Sequence, residues 1–551
     1  MPTSSASADA QARQAMHQLL EQVEQADIPA TLGAFIRQAA ERYGTQTAGV
    51  WFEEDVSLSY AQLDEQADRL ASSLVRKGVR KGTHVAVMLG NTPAYMVTWV
   101  ALARIGAVIV PVNTAYRLND LHFVLEDSDA QFFIVAQAHL AVFREIEEKL
   151  SLLAPHNVIV QGGDPACGQH WEALLRDGEI SFVPPSAVGR DDLLNIQYTS
   201  GTTGFPKGCM LSHDYWLWLT EFAAVSHLAP GTVRNVLVWQ PFFYMDGMWL
   251  FLLALRLGGC AYIAQKMHLS AFYDWIERYQ IHHCIFPEAA LKARAPSAQD
   301  ARLPLQYASI YGWSHASRQA FRQRFTALAR EGYGMTEIGL ALLVPNAAET
   351  HAMDKTCGLP GPGRQFRIVT EDQREARDGE TGELLVSGRA LLWGYYKRPD
   401  ENAHLFDGGW FRTGDIFYRS SEGFYYLVGR SKDMIKRSGE NIAAREVEAT
   451  LCQMDGIAEA AVLGVPDARR GEEVKAYILL CDGVTPEECP PDAIVAHCAR
   501  LLAAFKVPRY ISYVSEFPRT PSRKIRKPEL REQEAEHPLP TYDRLQVPAQ
   551  G

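Results

Sequence analysis

Between about residues 60 and 312 the chain alternates helical hydrophobic patterns with short β-branched runs, and this alternation constrains the fold more than any other feature. A short apolar run that ends at a turn signal is a strand buried on both faces, and its parallel neighbour is reached only through a crossover helix. Such runs lie at 84–88, 107–112, 131–135, 158–160, 194–198, 236–239, 260–264, 283–286 and 307–311. Ahead of them, residues 60–75 place Leu63, Ala67, Leu70, Ala71 and Leu74 on one helical face. The pattern predicts an α/β fold with doubly wound sheets.

Past Cys357 the texture changes, because 366–369, 383–386 and 410–428 read as glycine-punctuated antiparallel strands. Aromatic pairs such as Phe417-Tyr418 and Phe424-Tyr425-Tyr426 suit cross-strand packing. A smaller α+β unit follows from about Ser431, with helices near 446–453 and 492–504 and a strand near 474–480. The expected organisation is a large N-terminal domain, residues 1–429, made of doubly wound sheets and a β-rich subdomain, followed by a small α+β C-terminal domain, residues 430–551.

Composition narrows the function. With 47% hydrophobic residues in 551 the chain supports a substantial core, and its net charge of -11 argues against a nucleic-acid-binding face. One segment departs from that field: Lys506, Arg509, Arg519, Arg523, Lys524, Arg526, Lys527 and Arg531 gather near the C-terminus, where they would suit an anionic small molecule. Nine cysteines without a CxxC pair, and a polar start without an apolar signal core, favour a cytoplasmic protein. The longest apolar stretch, 247–264, is interrupted by Arg256 and by Gly258-Gly259, so it reads as a buried helix leading into a buried strand and not as a membrane span. His282-His283-Cys284 is not read as a metal site, because adjacent side chains on a strand point to opposite faces.

The strongest local signal is Tyr198-Thr199-Ser200-Gly201-Thr202-Thr203-Gly204-Phe205-Pro206-Lys207-Gly208, directly after a buried strand. Glycines let backbone N–H groups approach an oxyanion, the hydroxyls of Thr199, Ser200, Thr202 and Thr203 add donors, and Lys207 adds charge. This is the chemistry of a phosphate cradle. It lacks the Gly-Lys-Ser/Thr spacing of a Walker loop.

With this motif the sequence resembles the superfamily of adenylate-forming enzymes that includes acyl-CoA synthetases, firefly luciferase and the adenylation domains of peptide synthetases, and the resemblance runs from Leu58-Ser59-Tyr60 to Leu530-Arg531. The resemblance recurs in order at Tyr333-Gly334-Met335-Thr336-Glu337, at Gly382-Glu383-Leu384 through Gly394-Tyr395-Tyr396, and at Trp410-Phe411-Arg412-Thr413-Gly414-Asp415. It continues at Gly429-Arg430-Ser431-Lys432-Asp433-Met434-Ile435-Lys436 with Gly439-Glu440-Asn441, and at Pro521-Ser522-Arg523-Lys524-Ile525. It implies an acid–thiol ligase that converts a carboxylic acid, ATP and CoA into acyl-CoA, AMP and pyrophosphate through an acyl-adenylate. ATP, Mg2+ and CoA are the implied cofactors, and a homodimer stays open. By resemblance Glu337 is the Mg2+ ligand, Thr336 donates to the α-phosphate, and Tyr333 and Gly334 lie at adenine. Asp415 holds the ribose hydroxyls with Arg430 beside it, and Lys524 bridges carboxylate and α-phosphate. Lys432 marks the hinge of a mobile C-terminal domain, Lys436 serves the second half-reaction, and Gly439 lines the pantetheine path.

The chain departs from its relatives where they recognise the acyl group. Pro241-Phe242-Phe243-Tyr244-Met245-Asp246-Gly247 carries Tyr244 where relatives have a histidine, and Tyr311-Gly312-Trp313-Ser314-His315 replaces their Gly-Gly-Ala-Pro. Trp313 is expected either to shorten the acyl pocket or to cover adenine. The short link from Arg324 to Tyr333 leaves the positions of Arg330 and Glu331 open. These features resemble the carnitine/crotonobetaine-CoA ligase-like branch most. Trp239, Phe243, Tyr244 and Trp313 with Asp246 and Glu288 suggest a pocket for a short polar or cationic acid, each acid being equally readable as a cap. Fatty-acid or aryl-CoA ligation, or the loading of a carrier protein, are the alternatives, although no Gly-Gly-x-Ser carrier segment is present. Retention of Lys207, Glu337, Asp415 and Lys524 disfavours a non-catalytic nucleotide-binding protein.

Overall fold

A computed structural model describes residues 5–163, 169–199, 206–226, 231–348, 354–430, 433–437, 440–467, 470–502, 504–519, 523–536 and 538–546. All nine predicted strands form within a residue or two of their expected ends, and they divide between two sheets. The first sheet runs Gln169–His170, Val158–Gln161, Phe132–Ala136, His84–Met88, Val108–Pro111, Leu193–Thr199, Lys207–Ser212. Its pairs are parallel except the last, an antiparallel hairpin. The second runs Leu359–Pro360, Gly339–Leu343, Leu328–Met335, Tyr307–Ile310, His283–Ile285, Asn235–Val238, Cys260–Ile263, Thr47–Trp51, Val56–Ser59, parallel in its middle and antiparallel at both ends.

The helix Tyr60–Arg76 begins at a capping box: Ser59 Oγ accepts from Gln62 N at 3.1 Å while Gln62 Oε1 accepts from Ser59 N at 2.8 Å. Its predicted face, Leu63, Ala67, Leu70, Ala71 and Leu74, is buried. The apolar stretch after Tyr244 is the helix Met245–Arg256 followed by the strand Cys260–Ile263. Gly259 allows the turn between them, since a Cβ there would lie 1.9 Å from the Arg234 carbonyl. No helix among the described residues is long and apolar enough to cross a membrane.

The chain forms two compact units. The first holds both large sheets and comprises Met1–Thr199, Pro206–Gln365 and Val386–Phe411. The second comprises Ser200–Phe205, Phe366–Leu385 and Arg412–Gly551. It holds most of a sheet ordered Arg364–Val369, Gly382–Gly388 and Trp410–Arg419, with Tyr425–Arg430 paired antiparallel to the last of these. Tyr418 and Tyr426 sit opposite one another there and stack at 4.8 Å, as the aromatic pattern predicts. A second sheet of the same unit orders Glu440–Ala443, Met434–Arg437, Gly471–Leu480, Tyr510–Tyr513 and Tyr542–Asp543, with Ile457–Asp467 also paired to Gly471–Leu480. The helices Ala444–Leu451 and Pro491–Leu501 bury Val447, Leu451 and Ile494 in a core with Val462 and Ile478.

Candidate active site

The strands on either side of the glycine-rich segment pair antiparallel. Thr199 ends one strand, Lys207 begins its antiparallel partner, and the two residues are in register. A turn leading straight into a helix does not occur here, because the helix His213–Ser226 starts only after the strand Lys207–Ser212. Ser200, Gly201, Thr202 and Thr203 lie outside the described residues. The Lys207 ammonium stands 5.2 Å from the ring centroid of Tyr395 and 3.4 Å from Glu401. Residues 392–396 run along the same strand: Met210 N donates to Gly394 O at 3.0 Å, Trp393 N to Met210 O at 2.9 Å, and Tyr396 N to Gly208 O at 2.8 Å. Gly394 takes a φ of +137° at this crossing, a conformation that side chains disfavour.

Tyr333 and Gly334 lie on the strand Leu328–Met335, which turns back into Gly339–Leu343. Thr336, Glu337 and Ile338 therefore form a three-residue hairpin loop, closed by Gly339 at φ +63°. All three of its carbonyls are held from outside the hairpin. Tyr215 Oη donates to Thr336 O at 2.8 Å, Leu392 N to Glu337 O at 2.9 Å, and Arg364 Nη2 to Ile338 O at 2.6 Å. Burial pushes the Arg364 guanidinium down to about 10. The Glu337 carboxylate is 7% exposed and accepts from Tyr395 Oη at 2.8 Å. Gly334 leaves room for the return strand, since a Cβ would fall 2.4 Å from Gly339 O. Tyr333 is buried, with its hydroxyl 3.8 Å from Met335 Sδ.

The same strand places Arg330 and Glu331. Ile310 pairs with Glu331, and both oxygens of the Glu331 carboxylate accept from Gly312 N, at 2.8 and 3.1 Å. Arg318 forms a buried ion pair with Glu331. Gly312, at φ +68°, is thus fixed by a group that sequence reasoning left unplaced.

The expected acyl-pocket residues fare differently from one another. Trp239 Nε1 donates to Ile285 O at 2.9 Å, and Gln197 Nε2 donates to Phe243 O at 2.8 Å. Asn113 Oδ1 accepts from Ala115 N at 2.9 Å, which orients the amide so that its Nδ2 donates to Tyr244 Oη at 3.0 Å. Burial raises the Tyr244 phenol above its ordinary range, against the opposing effect of Asn113. Asp246 is exposed in the first turn of its helix and accepts from Trp249 Nε1 at 3.3 Å. Trp313 belongs to an aromatic cluster. It is 3% exposed and packs edge-on against Phe286 and Phe321, at 5.9 and 5.8 Å. Glu288 takes the capping role: it accepts from Ser314 N and Oγ at 3.2 and 3.0 Å, where the helix His315–Arg324 begins, and pairs with Lys292 at 3.2 Å. Of the adjacent histidines, His282 Nδ1 accepts from Arg234 N and Asn235 N, and His283 Nε2 lies 3.1 Å from Ser309 Oγ.

In the second unit Asp415 and Arg430 face each other across neighbouring strands. They are in register and form an ion pair at 3.0 Å, with Asp415 4% exposed. Gly414, at φ +70° inside the strand Trp410–Arg419, donates from its N to Glu383 Oε1 at 3.1 Å. Lys436 lies on the strand Met434–Arg437 opposite Asn441, with its side chain outside the described residues, as are Lys432 and Gly439 altogether. Lys524 is exposed on a loop narrowed by the bridge between Arg519 and Ile525, and it follows Arg523, whose φ is +64°. Its basic neighbours are tied to acids: Arg519 to Glu459 at 2.6 Å, Arg526 to Glu529 at 2.6 Å, and Lys527 to Glu448 at 2.7 Å.

Residues 36–396 match the AMP-binding enzyme family, and residues 446–524 match the AMP-binding enzyme C-terminal domain. The chain belongs to this family, and within it to the adenylate-forming acyl-CoA ligases. It is 30% identical over 509 residues to a crotonobetaine/carnitine–CoA ligase of Citrobacter koseri, spanning 89% of this chain and 97% of that relative. Its fold is shared with the anthranilate CoA ligase AuaEII solved in complex with anthranoyl-AMP, at a TM-score of 0.83 and 22% identity over 93% of this chain and 99% of the other. ATP-bound MatB from Rhodopseudomonas palustris aligns at a TM-score of 0.81 and 24% identity, over 92% and 99% of the two chains.

Proposed function

We propose that the chain activates a short polar acid in two steps at one site, first displacing pyrophosphate from ATP to give an acyl-adenylate and then passing the acyl group to the CoA thiol with release of AMP. ATP and CoA are substrates of the ligase family to which the chain belongs. The observation that carries the reading is the hairpin loop of Thr336 and Glu337, whose carbonyls are all held and whose carboxylate is tied to the ring that seats Lys207. Groups that meet charge only as the reaction proceeds act best when already fixed. In this reading Lys207 and the loop before it cradle phosphate, Thr336 donates to the α-phosphate, and Tyr333 and Gly334 lie at adenine. Asp415 and Arg430 hold the ribose, Lys524 draws the carboxylate onto the α-phosphate, and Lys436 acts in thioester formation. Glu337 fits Mg2+, being a hard oxygen donor already oriented on one oxygen, and the ion would take its other ligands from phosphate and water. Bound there, Mg2+ supplies the charge that offsets the polyphosphate.

Tyr244 supports the polar substrate. Because Ala115 N claims Asn113 Oδ1, the phenol oxygen must accept from Nδ2, which turns the phenol's own hydrogen away from Asn113. An acid carrying an acceptor group then gains a partner that a plain alkyl acid lacks. With Glu288 occupied as a cap, Asp246 is the acid that would favour a cationic substrate. CoA-dependent AMP formation with γ-butyrobetaine, crotonobetaine, octanoate and benzoate tests this. A betaine is expected to give the highest kcat/KM, and a clear preference for octanoate or benzoate sinks the polar reading. Tyr244→Phe is expected to lower kcat/KM about tenfold for an acid that carries a hydroxyl or carbonyl acceptor besides its carboxylate, and to leave octanoate within about twofold.

A further inference from the structure

Lys207 and Glu337 lie on different hairpins of the first unit, and the reading above gives them tasks at one polyphosphate. Tyr395 touches both. Its hydroxyl donates to Glu337 Oε1 at 2.8 Å, and the Lys207 ammonium lies over its ring at 5.2 Å. The geometry points to Tyr395 as a positioning residue of the adenylation step, one that acts through Glu337 and Lys207 without meeting the substrate itself.

Each half of the side chain has a separate effect. A glutamate has three rotatable bonds, and a hydroxyl bound to one carboxylate oxygen removes most of that freedom. The phenol is neutral, so it orients the carboxylate and leaves its charge in place, whereas a lysine or arginine would neutralise it. The ring attracts the ammonium through its face and takes up none of its N–H groups. Tyr395 can act this way because its own backbone is fixed: its N donates to Asn402 Oδ1 at 2.7 Å, its O accepts from Asn402 Nδ2 at 2.8 Å, and it bridges Cys209 on the Lys207 strand. The neighbouring Tyr396 is spent elsewhere, donating to Asp129 at 2.8 Å.

The inference rests on the roles proposed for Glu337 and Lys207, and a double-mutant cycle in the full chain separates the two. Tyr395→Phe keeps the ring and removes the hydroxyl. It is expected to lower kcat for pyrophosphate release about 10–30-fold, with KM for ATP and the thermal midpoint nearly unchanged, and with CoA-dependent use of supplied acyl-adenylate intact. The Mg2+ concentration needed for half-maximal ATP-dependent thermal stabilisation should rise at least about threefold. In a Glu337→Gln background the same substitution should cost less than about twofold, because the group it acts through is already gone. Losses that multiply in the double variant, or a Tyr395→Phe enzyme at wild-type rate beside an impaired Glu337→Gln, overturn the inference alone. A Glu337→Gln enzyme at wild-type rate overturns the role of Glu337, and the inference with it.

Discussion

Lys524→Ala is expected to lose pyrophosphate release from acid and ATP by at least about 100-fold, while it still converts supplied acyl-adenylate to thioester. The argument starts from charge. Adenylation presses a carboxylate against a phosphate, and the transition state needs a cation between them. Lys524 is exposed and follows Arg523, whose φ of +64° lies in the left-handed region. Lys436→Ala should give the mirror image, with adenylation near normal and thioester formation slowed about tenfold or more. Single-turnover measurement of each half-reaction decides it. Equal losses of both steps in both variants would refute the division.

Glu331→Ala is expected to give the largest stability loss, about 3–5 kcal/mol by denaturant titration. Arg318 and Glu331 are 3% and 4% exposed, so removing the carboxylate leaves a buried guanidinium without its counter-charge and Gly312 N without its acceptor. Glu331→Gln should lose somewhat less, since an amide oxygen still accepts from Gly312 while the buried Arg318 charge stays uncompensated. The loop through Gly312 precedes Trp313, whose aromatic packing anchors its far side. A raised KM for the acid in Glu331→Gln, with KM for ATP unchanged, would place this loop at the acyl end of the site. An alanine variant with a wild-type unfolding midpoint would sink the prediction.

The parallel strands were legible in the sequence because burial on both faces writes itself as an unbroken apolar run. The antiparallel edges were not. Lys207–Ser212 begins with a charge and a glycine, and Leu328–Met335 holds Arg330, Glu331 and two glycines, so neither shows a strand's period. The motif residues were legible through their resemblance, while their supports were not. Tyr395 and Tyr396 are the same residue side by side, and only the packing shows that one serves Glu337 and the other Asp129. Trp313 and Glu288 looked like pocket residues by size and charge. Packing shows the first in an aromatic cluster and the second at a helix terminus.

The loop bearing Glu337 owes its shape to stretches far apart in the chain: Tyr215 lies 121 residues from Thr336, and Tyr395 lies 58 from Glu337. No local segment can build this corner by itself, so it closes only after distant parts have docked. On the proposed reading, in which this loop meets the nucleotide, ATP affinity becomes a gauge of maturation. During refolding, helical signal should recover before ATP binding does, and chains lacking that final docking would be blind to ATP while resembling the finished protein in secondary structure.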